Sequence, residues 1–199
     1  MAAQIAELLS SPWMYALVMV SITLDVFVPF LPSGSLLIVA VVYAGKHDGT
    51  VTEMLLLLVG GAVASTLGDN LAYRAIEPGA GPVHRFLARM PRAAKVNDRL
   101  RDTLQARPIS TMTFARLIPT GRTLATAVAA TDPDMPRARF QLASAVAAAV
   151  WAAYTVALGY LNALLFNTSW VSVVVGVAAA FAFGTILARS RRAVALTSS

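Results

Sequence analysis

The stretch FARLIPTGRTLATAV, residues 114–128, decides the fold when it is set against a second stretch, FVPFLPSGSLLIVAV, residues 27–41. Both are apolar runs broken in the middle by proline and glycine. They align without gaps, placing Phe27 on Phe114, Leu31 on Ile118, Pro32 on Pro119, Ser33 on Thr120, Gly34 on Gly121 and Leu37 on Leu124. The same offset carries Leu55 to Leu142, Val59 to Val146 and Tyr73 to Tyr160. A proline inside a helix removes a backbone hydrogen bond and clashes with the preceding turn. Each stretch therefore reads as a broken hairpin, with tips at Pro32-Ser33-Gly34 and Pro119-Thr120-Gly121, followed by an apolar span. Two such units in one chain read as an internal repeat, with chance similarity between apolar, Gly/Pro-containing stretches as the alternative; agreement of tip, flanks and following span at one offset favours the repeat.

Composition says which solvent the chain meets. Of its 199 residues, 57% are hydrophobic and 13% charged, with mean hydropathy +0.67. Soluble domains carry about 25% charged residues, so an integral membrane protein is expected. There is no cysteine, which excludes disulfides, thiolate metal sites and cysteine nucleophiles, and two histidines, His47 and His84, leave little room for a histidine metal site. No metal and no cofactor are expected. The net charge of +6 points to orientation signals and anionic lipid, not nucleic acid.

A bilayer crossing takes about 20 apolar residues. Full spans are expected from Ile5 or Pro12 to Leu24, over Met54–Tyr73, over Phe140–Phe166 and over Trp170–Ala188. Segment 74–108 holds Arg74, Arg85, Arg89, Arg92, Lys95, Arg99, Arg101 and Arg107; loop 131–139 holds Arg137 and Arg139; the tail holds Arg189, Arg191 and Arg192. The positive-inside rule places all three, and both termini, in the cytoplasm. Segment 109–130 then starts and ends on the cytoplasmic side, so it must enter and turn back. Segment 26–44 does the same from outside. The expected fold is one all-α membrane domain: an inverted repeat of two re-entrant hairpins, each followed by a transmembrane helix (26–73 and 109–161), with a cytoplasmic amphipathic segment between them (74–108), an N-terminal span and a C-terminal span (170–188). Matching Pro/Gly-broken segments in two inverted halves point to the binding site of a transporter.

Arg116 and Arg122 flank the second tip. Arginine at membrane depth costs a few kcal/mol and persists where it meets water, a carboxylate or an anion. A guanidinium binds phosphate bidentately and keeps its charge. Either the pair holds an anionic head group or both side chains reach the cytoplasmic interface. Asp25, inside an apolar run, is either a proton carrier or a helix-end residue. Asp69 can pair with Arg74 or with a hairpin arginine, or share the proton relay. Apolar residues at Val83, Phe86, Leu87, Met90, Val96, Leu100 and Leu104 alternate with arginines as in an interfacial amphipathic helix. Gly60-Gly61, Ala143–Ala149 and Gly159 permit close helix packing and a homodimer.

These residues resemble the DedA family, whose domain is also called SNARE-associated or VTT. FARLIPTGRTLATAVAA is similar to its arginine motif, and MPRARF, Trp151 and Gly159-Tyr160 to the elements downstream of that motif. Gly68–Tyr73 resembles its Gly-Asp-x-x-x-Tyr element, and Phe30–Leu37 its Leu-Pro-Gly-Asp-Ser-Leu-Leu element. The resemblance spans about residues 20–165. It implies two inverted re-entrant hairpins, a multi-pass protein of the bacterial inner (plasma) membrane, and a lipid partner. Its implied activity is translocation of a phosphorylated lipid, for which a polyprenyl (undecaprenyl or decaprenyl) phosphate is the leading reading, with general phospholipid scrambling and small-ion or osmolyte transport for proton-motive-force homeostasis as alternatives. The implied substrate site is Arg116, Arg122, Pro119, Thr120, Gly121, Pro32, Ser33 and Gly34, with Asp25 and Asp69 for proton coupling. Gly34 stands where many members carry an acid, and Asp25 where they usually carry Glu. Ala129-Ala130 replaces the usual Ala-Gly pair. No catalytic residue is expected. Pro32-Ser33-Gly34 resembles the Pro-Ser-Gly-His element of membrane lipid phosphatases, but Ser35 follows in place of His, so general acid/base and nucleophilic chemistry lack their residues.

The topology makes a direct prediction. Thiol labelling from outside intact cells should reach Asp48→Cys and not Arg137→Cys; labelling of the second would rule out the inverted repeat.

Overall fold

The computed structural model describes residues 12–28, 31, 33–46, 51–77, 91–118 and 120–165, with the backbone alone for 12, 46, 91–98 and 165. Pro32, Pro119, His47, the start of the N-terminal stretch, residues 78–90 of the amphipathic segment and the 170–188 span lie outside the described residues.

All described elements are helices: α1 Pro12–Leu24, α2 Ser33–Lys46, α3 Val51–Ile76, α4 Pro91–Ala106, α5 Pro108–Ala115, α6 Gly121–Thr131 and α7 Arg137–Leu165. Pro91 and Pro108 open α4 and α5, where a missing N–H costs nothing. Glu53 in the first turn of α3 and Arg74 in its last complement the helix dipole. Among the described residues, α3 and α7 are long and apolar enough to cross a membrane. At a rise of 1.5 Å per residue, α3 is about 39 Å long and α7 about 44 Å, against about 30 Å of hydrocarbon. The described part of the N-terminal stretch, α1, is about 20 Å on the same scale.

The first break differs from the expected tip at residues 32–34. Helix α1 stops at Leu24, Phe27 and Val28 donate their backbone N–H groups back to Leu24 O, and α2 starts at Ser33. The break therefore begins after Leu24 and ends at Ser33, and α1 itself is the leading limb. The second break, at 116–120, lies at the expected proline-glycine element.

Helix α3 is inside-out relative to a soluble helix. Leu55, Leu56, Val59, Val63, Leu67 and Leu71 are exposed along one face, while Gly61, Ala64, Ser65, Gly68, Asp69 and Ala72 are buried on the other. Only 28% of its most apolar stretch is buried. A soluble core helix would hide its leucines; here small and polar residues face the protein and leucines face out, the arrangement that suits lipid.

The contacts fix the helix directions. Tyr73 stacks on Phe140 with ring centroids 4.5 Å apart, Gln141 donates to Asn70 at 3.0 Å, Ser144 meets Asp69, and Gly61 faces Ala152. Descending positions on α3 thus meet ascending positions on α7, so these two helices are antiparallel. Gly34, Gly45 and Val41 meet Trp151, Ala163 and Gly159, so α2 runs parallel to α7. Met19 meets Gly60 and Thr23 meets Ala64, so α1 runs parallel to α3. Helices α1 and α2 are therefore antiparallel, and the chain reverses between them.

Two apolar cores result. One joins Val18, Ile22, Leu37, Val41, Leu57 and Val156; the other joins Tyr73, Ile76, Leu104, Met112, Ala129 and Phe140. Gly159 sets the distance between α2 and α7, because a Cβ there would lie 2.8 Å from Val41 Cβ. That atom sits next to the backbone and has no rotamer to escape into. Gly159→Ala should destabilise the protein by about 1–3 kcal/mol, read by thermal unfolding in detergent; wild-type stability would show that the helix pair is looser than described.

Candidate functional site

A buried cluster of charges lies between the two apolar cores, where both helix breaks face α3 and α7. Its centre is Asp69, fully buried on α3. Asp69 Oδ1 accepts from Arg122 Nε at 2.7 Å; Asp69 Oδ2 accepts from Arg116 Nη2 and from Ser144 Oγ, the latter at 2.5 Å. Arg116 also donates Nη1 to Ser65 Oγ at 2.5 Å and Nη2 to Ser144 O at 3.4 Å. Arg122 donates Nη2 to Ser65 O at 2.8 Å, and Nη1 to Ile22 O at 3.3 Å and Asp25 Oδ2 at 3.2 Å. The Arg116 side chain is 2% exposed and that of Arg122 10%.

Sequence and local structure place each group. The break after α5 ends the helix at Ala115 and leaves Arg116 at its C-cap; Arg122 is the second residue of α6. On one continuous helix residues six apart point to roughly opposite faces; the break brings both guanidiniums to one carboxylate. Gly68 lets α1 approach, since a Cβ there would lie 2.5 Å from Thr23 O and 3.1 Å from Arg122 Nη2. Thr123 on α6 donates to Val26 O at 2.9 Å, tying the second break to the first.

The expected site residues divide accordingly. Arg116, Arg122, Asp69 and Asp25 converge, and Ser33 hydrogen-bonds Asp25 from the start of α2. Asp69 pairs with both hairpin arginines. Gly34 lies against the Trp151 ring instead, where a Cβ would have ordinary room at 3.8 Å. Gly121 is set against the end of α5, and Thr120 is exposed with φ 65°, a left-handed conformation rare for a β-branched residue.

Two members were not expected: Ser65 and Ser144, both fully buried. Ser65 stands four residues before Asp69, on the same helical face, which is a legible signal. Ser144, one hydroxyl in an alanine-rich run, has none. A second polar knot joins α4 to the loop after α6: the buried Asp132 accepts from Gln105 at 3.0 Å and from the Asp134 N–H at 3.1 Å, with Arg101 at 3.7 Å. Among the described residues no three acidic or histidine side chains converge on a metal-sized site.

Comparison with known families bears on this geometry. A family profile described as the VTT domain matches residues 31–161, which include α2, α3, both arginines and most of α7. The chain belongs to the VTT-domain family. This is the DedA, or SNARE-associated, domain. No curated protein and no solved structure matches the chain. The VTT domain and the apolar helices identify a membrane protein of a transporter-type family.

Removing the carboxylate at the centre leaves two guanidiniums buried without their counter-charge. Asp69→Ala should cost about 3–5 kcal/mol, read as loss of folded protein or a lowered melting temperature in detergent. A wild-type melting temperature would show that the cluster is hydrated in solution.

Proposed function

We propose that this VTT-domain protein translocates a phosphorylated lipid, with Arg116 and Arg122 as the clamp for the phosphate. The observation that carries the reading is two guanidiniums buried at one helix break in a membrane protein. Such groups are costly in hydrocarbon and mark ion or substrate pathways. Each guanidinium offers five donors in a planar fork that fits phosphate oxygens. The breaks after α1 and after α5 would be the tips of two re-entrant hairpins entering from opposite sides; because α1 runs parallel to α3, Pro12 would then lie on the outer side with Val51, so α1 is a hairpin limb and not the separate N-terminal span expected from a cytoplasmic N-terminus.

Helix boundaries support the repeat behind this scheme. Moved by the sequence offset, α2 Ser33–Lys46 falls nearly on α6 Gly121–Thr131 and α3 Val51–Ile76 nearly on α7 Arg137–Leu165. The antiparallel crossing of α3 and α7 is what an inverted pair requires. In use, the head group enters at one hairpin, is held by the arginines while the tails stay in lipid, and leaves at the other as the hairpins rock. Asp25 and Asp69, each paired with an arginine, are placed to take up a proton when that pairing breaks. The lipid best suited to a two-arginine clamp carries an exposed phosphate, as a polyprenyl phosphate of the bacterial plasma membrane does; a zwitterionic phospholipid brings an additional cation that the clamp would repel.

Arginine-to-lysine variants test the clamp, because lysine keeps the charge and loses the fork. Arg116→Lys and Arg122→Lys should each lower phosphorylated-lipid transfer in proteoliposomes about tenfold or more, while still inserting and accumulating. Near-normal transfer by both would remove the clamp. Ion flux without lipid transfer in the wild type would favour a small-ion carrier, and equal transfer of neutral and phosphorylated lipid a general scramblase.

A further inference from the structure

The cluster is already filled by a carboxylate that comes from the protein. Asp69 takes one hydrogen bond from Arg122 Nε, one from Arg116 Nη2 and one from Ser144 Oγ. Two guanidiniums and a hydroxyl converging on one acid are the donors an oxyanion would use. The carboxylate fills them incompletely: the Nε–H of Arg116 is buried and has no acceptor among the described residues. A carboxylate has two oxygens, whereas a phosphate monoester has three strong acceptors. A phosphate in the place of Asp69 could engage Arg122 Nε, Arg116 Nη2, Ser144 Oγ and the orphan Arg116 Nε.

We propose that Asp69 is a built-in competitor of the anionic head group, occupying the arginine clamp when no lipid is bound and leaving it when a phosphate arrives. The proposal rests on the phosphate-clamp reading above and assigns its regulation. Charge balance gives the exchange its form. Arg116 and Arg122 face Asp25 and Asp69, two positive groups against two negative ones. A phosphate entering with Asp69 still ionised would leave unbalanced negative charge in a buried site, which is strongly unfavourable. With the phosphate entering as its monoanion, one proton from the aqueous phase on the displaced carboxylate restores neutrality, two guanidiniums against Asp25 and one phosphate charge, and that proton is released when the carboxylate recaptures the arginines and the phosphate leaves. An empty carrier is held shut by its own acid, and only a ligand that satisfies more of the donors opens it. Ser144 belongs to the exchange because its hydroxyl serves whichever acceptor is present.

Purified protein in phosphatidylcholine nanodiscs, with dodecyl phosphate as probe, tests this in two ways. Asp69→Asn no longer competes, so it should bind the probe about tenfold tighter or more than wild type, and the probe should raise its melting temperature more than that of wild type. Asp69→Asn combined with Arg122→Gln should lose that gain. In the wild type, a hydrophobic carbodiimide, which modifies protonated carboxyl groups, should label Asp69 more when the probe is bound, as mapped by peptide mass spectrometry. If Asp69→Asn binds no tighter than wild type, or, where that variant does not accumulate, if carbodiimide labelling of wild-type Asp69 is unchanged or reduced by a probe that binds, the competitor is excluded and the clamp stands. If dodecyl phosphate binds neither protein, the clamp itself falls.

Discussion

One carboxylate holding two guanidiniums is the constraint on which the rest of this structure depends. Each charge alone would be costly inside a membrane domain, and each arginine would be driven toward water. Joined at Asp69, with Asp25 taking the outer side of Arg122, they form a group with no net charge. Breaking such a group by removing one partner is far more damaging than never having built it. The residues packed around Asp69 keep the group complete: Ser65 and Ser144 supply hydroxyls and carbonyls, and Gly68 allows a helix carbonyl to come within touching distance.

The helix breaks follow from the same need. A continuous helix presents its backbone N–H and C=O groups only to itself, and its side chains six positions apart to different faces. By stopping α5 and restarting at α6, the chain gains both arginines on one target. By stopping α1 at Leu24 it places Asp25 and the Ile22 carbonyl beside Arg122. The polar side of each break faces α3 and α7, whose Ser65, Asp69 and Ser144 receive the arginines, while Phe27, Val28, Ile118 and Thr120 stay exposed. Helix α3 turns its leucines outward and its small residues inward, and α7 buries its alanines against it, so the polar centre is shielded by the elements that meet the lipid.

Much of this was legible in the chain. The proline-glycine breaks, the long spans at α3 and α7 and the four charged residues of the cluster could all be read, because proline and buried charge have strong local consequences. The start of the first break was harder: helix α1 already stops at Leu24, so that the leading limb is α1 and not residues 26–31. Ser65 was one helical turn from Asp69 and could have been found; Ser144 lies on another helix, and only tertiary packing brings it to the carboxylate. Gly34 illustrates the opposite limit. Its place at a motif tip suggested the polar centre, yet its neighbour is Trp151, because a position at the start of a helix says little about which side of that helix faces the charges.

The acids of the cluster belong to the first half of the chain and the bases to the second. A ribosome therefore delivers Asp69 to the membrane 47 residues before Arg116, an interval of about 2–10 s at ordinary elongation rates. During that interval α3 carries Asp69 without the two guanidiniums that hold it in the folded protein. The centre of the domain is therefore completed only by the last-made half of its charges, and everything packed around Asp69 before then lacks the groups that fix it.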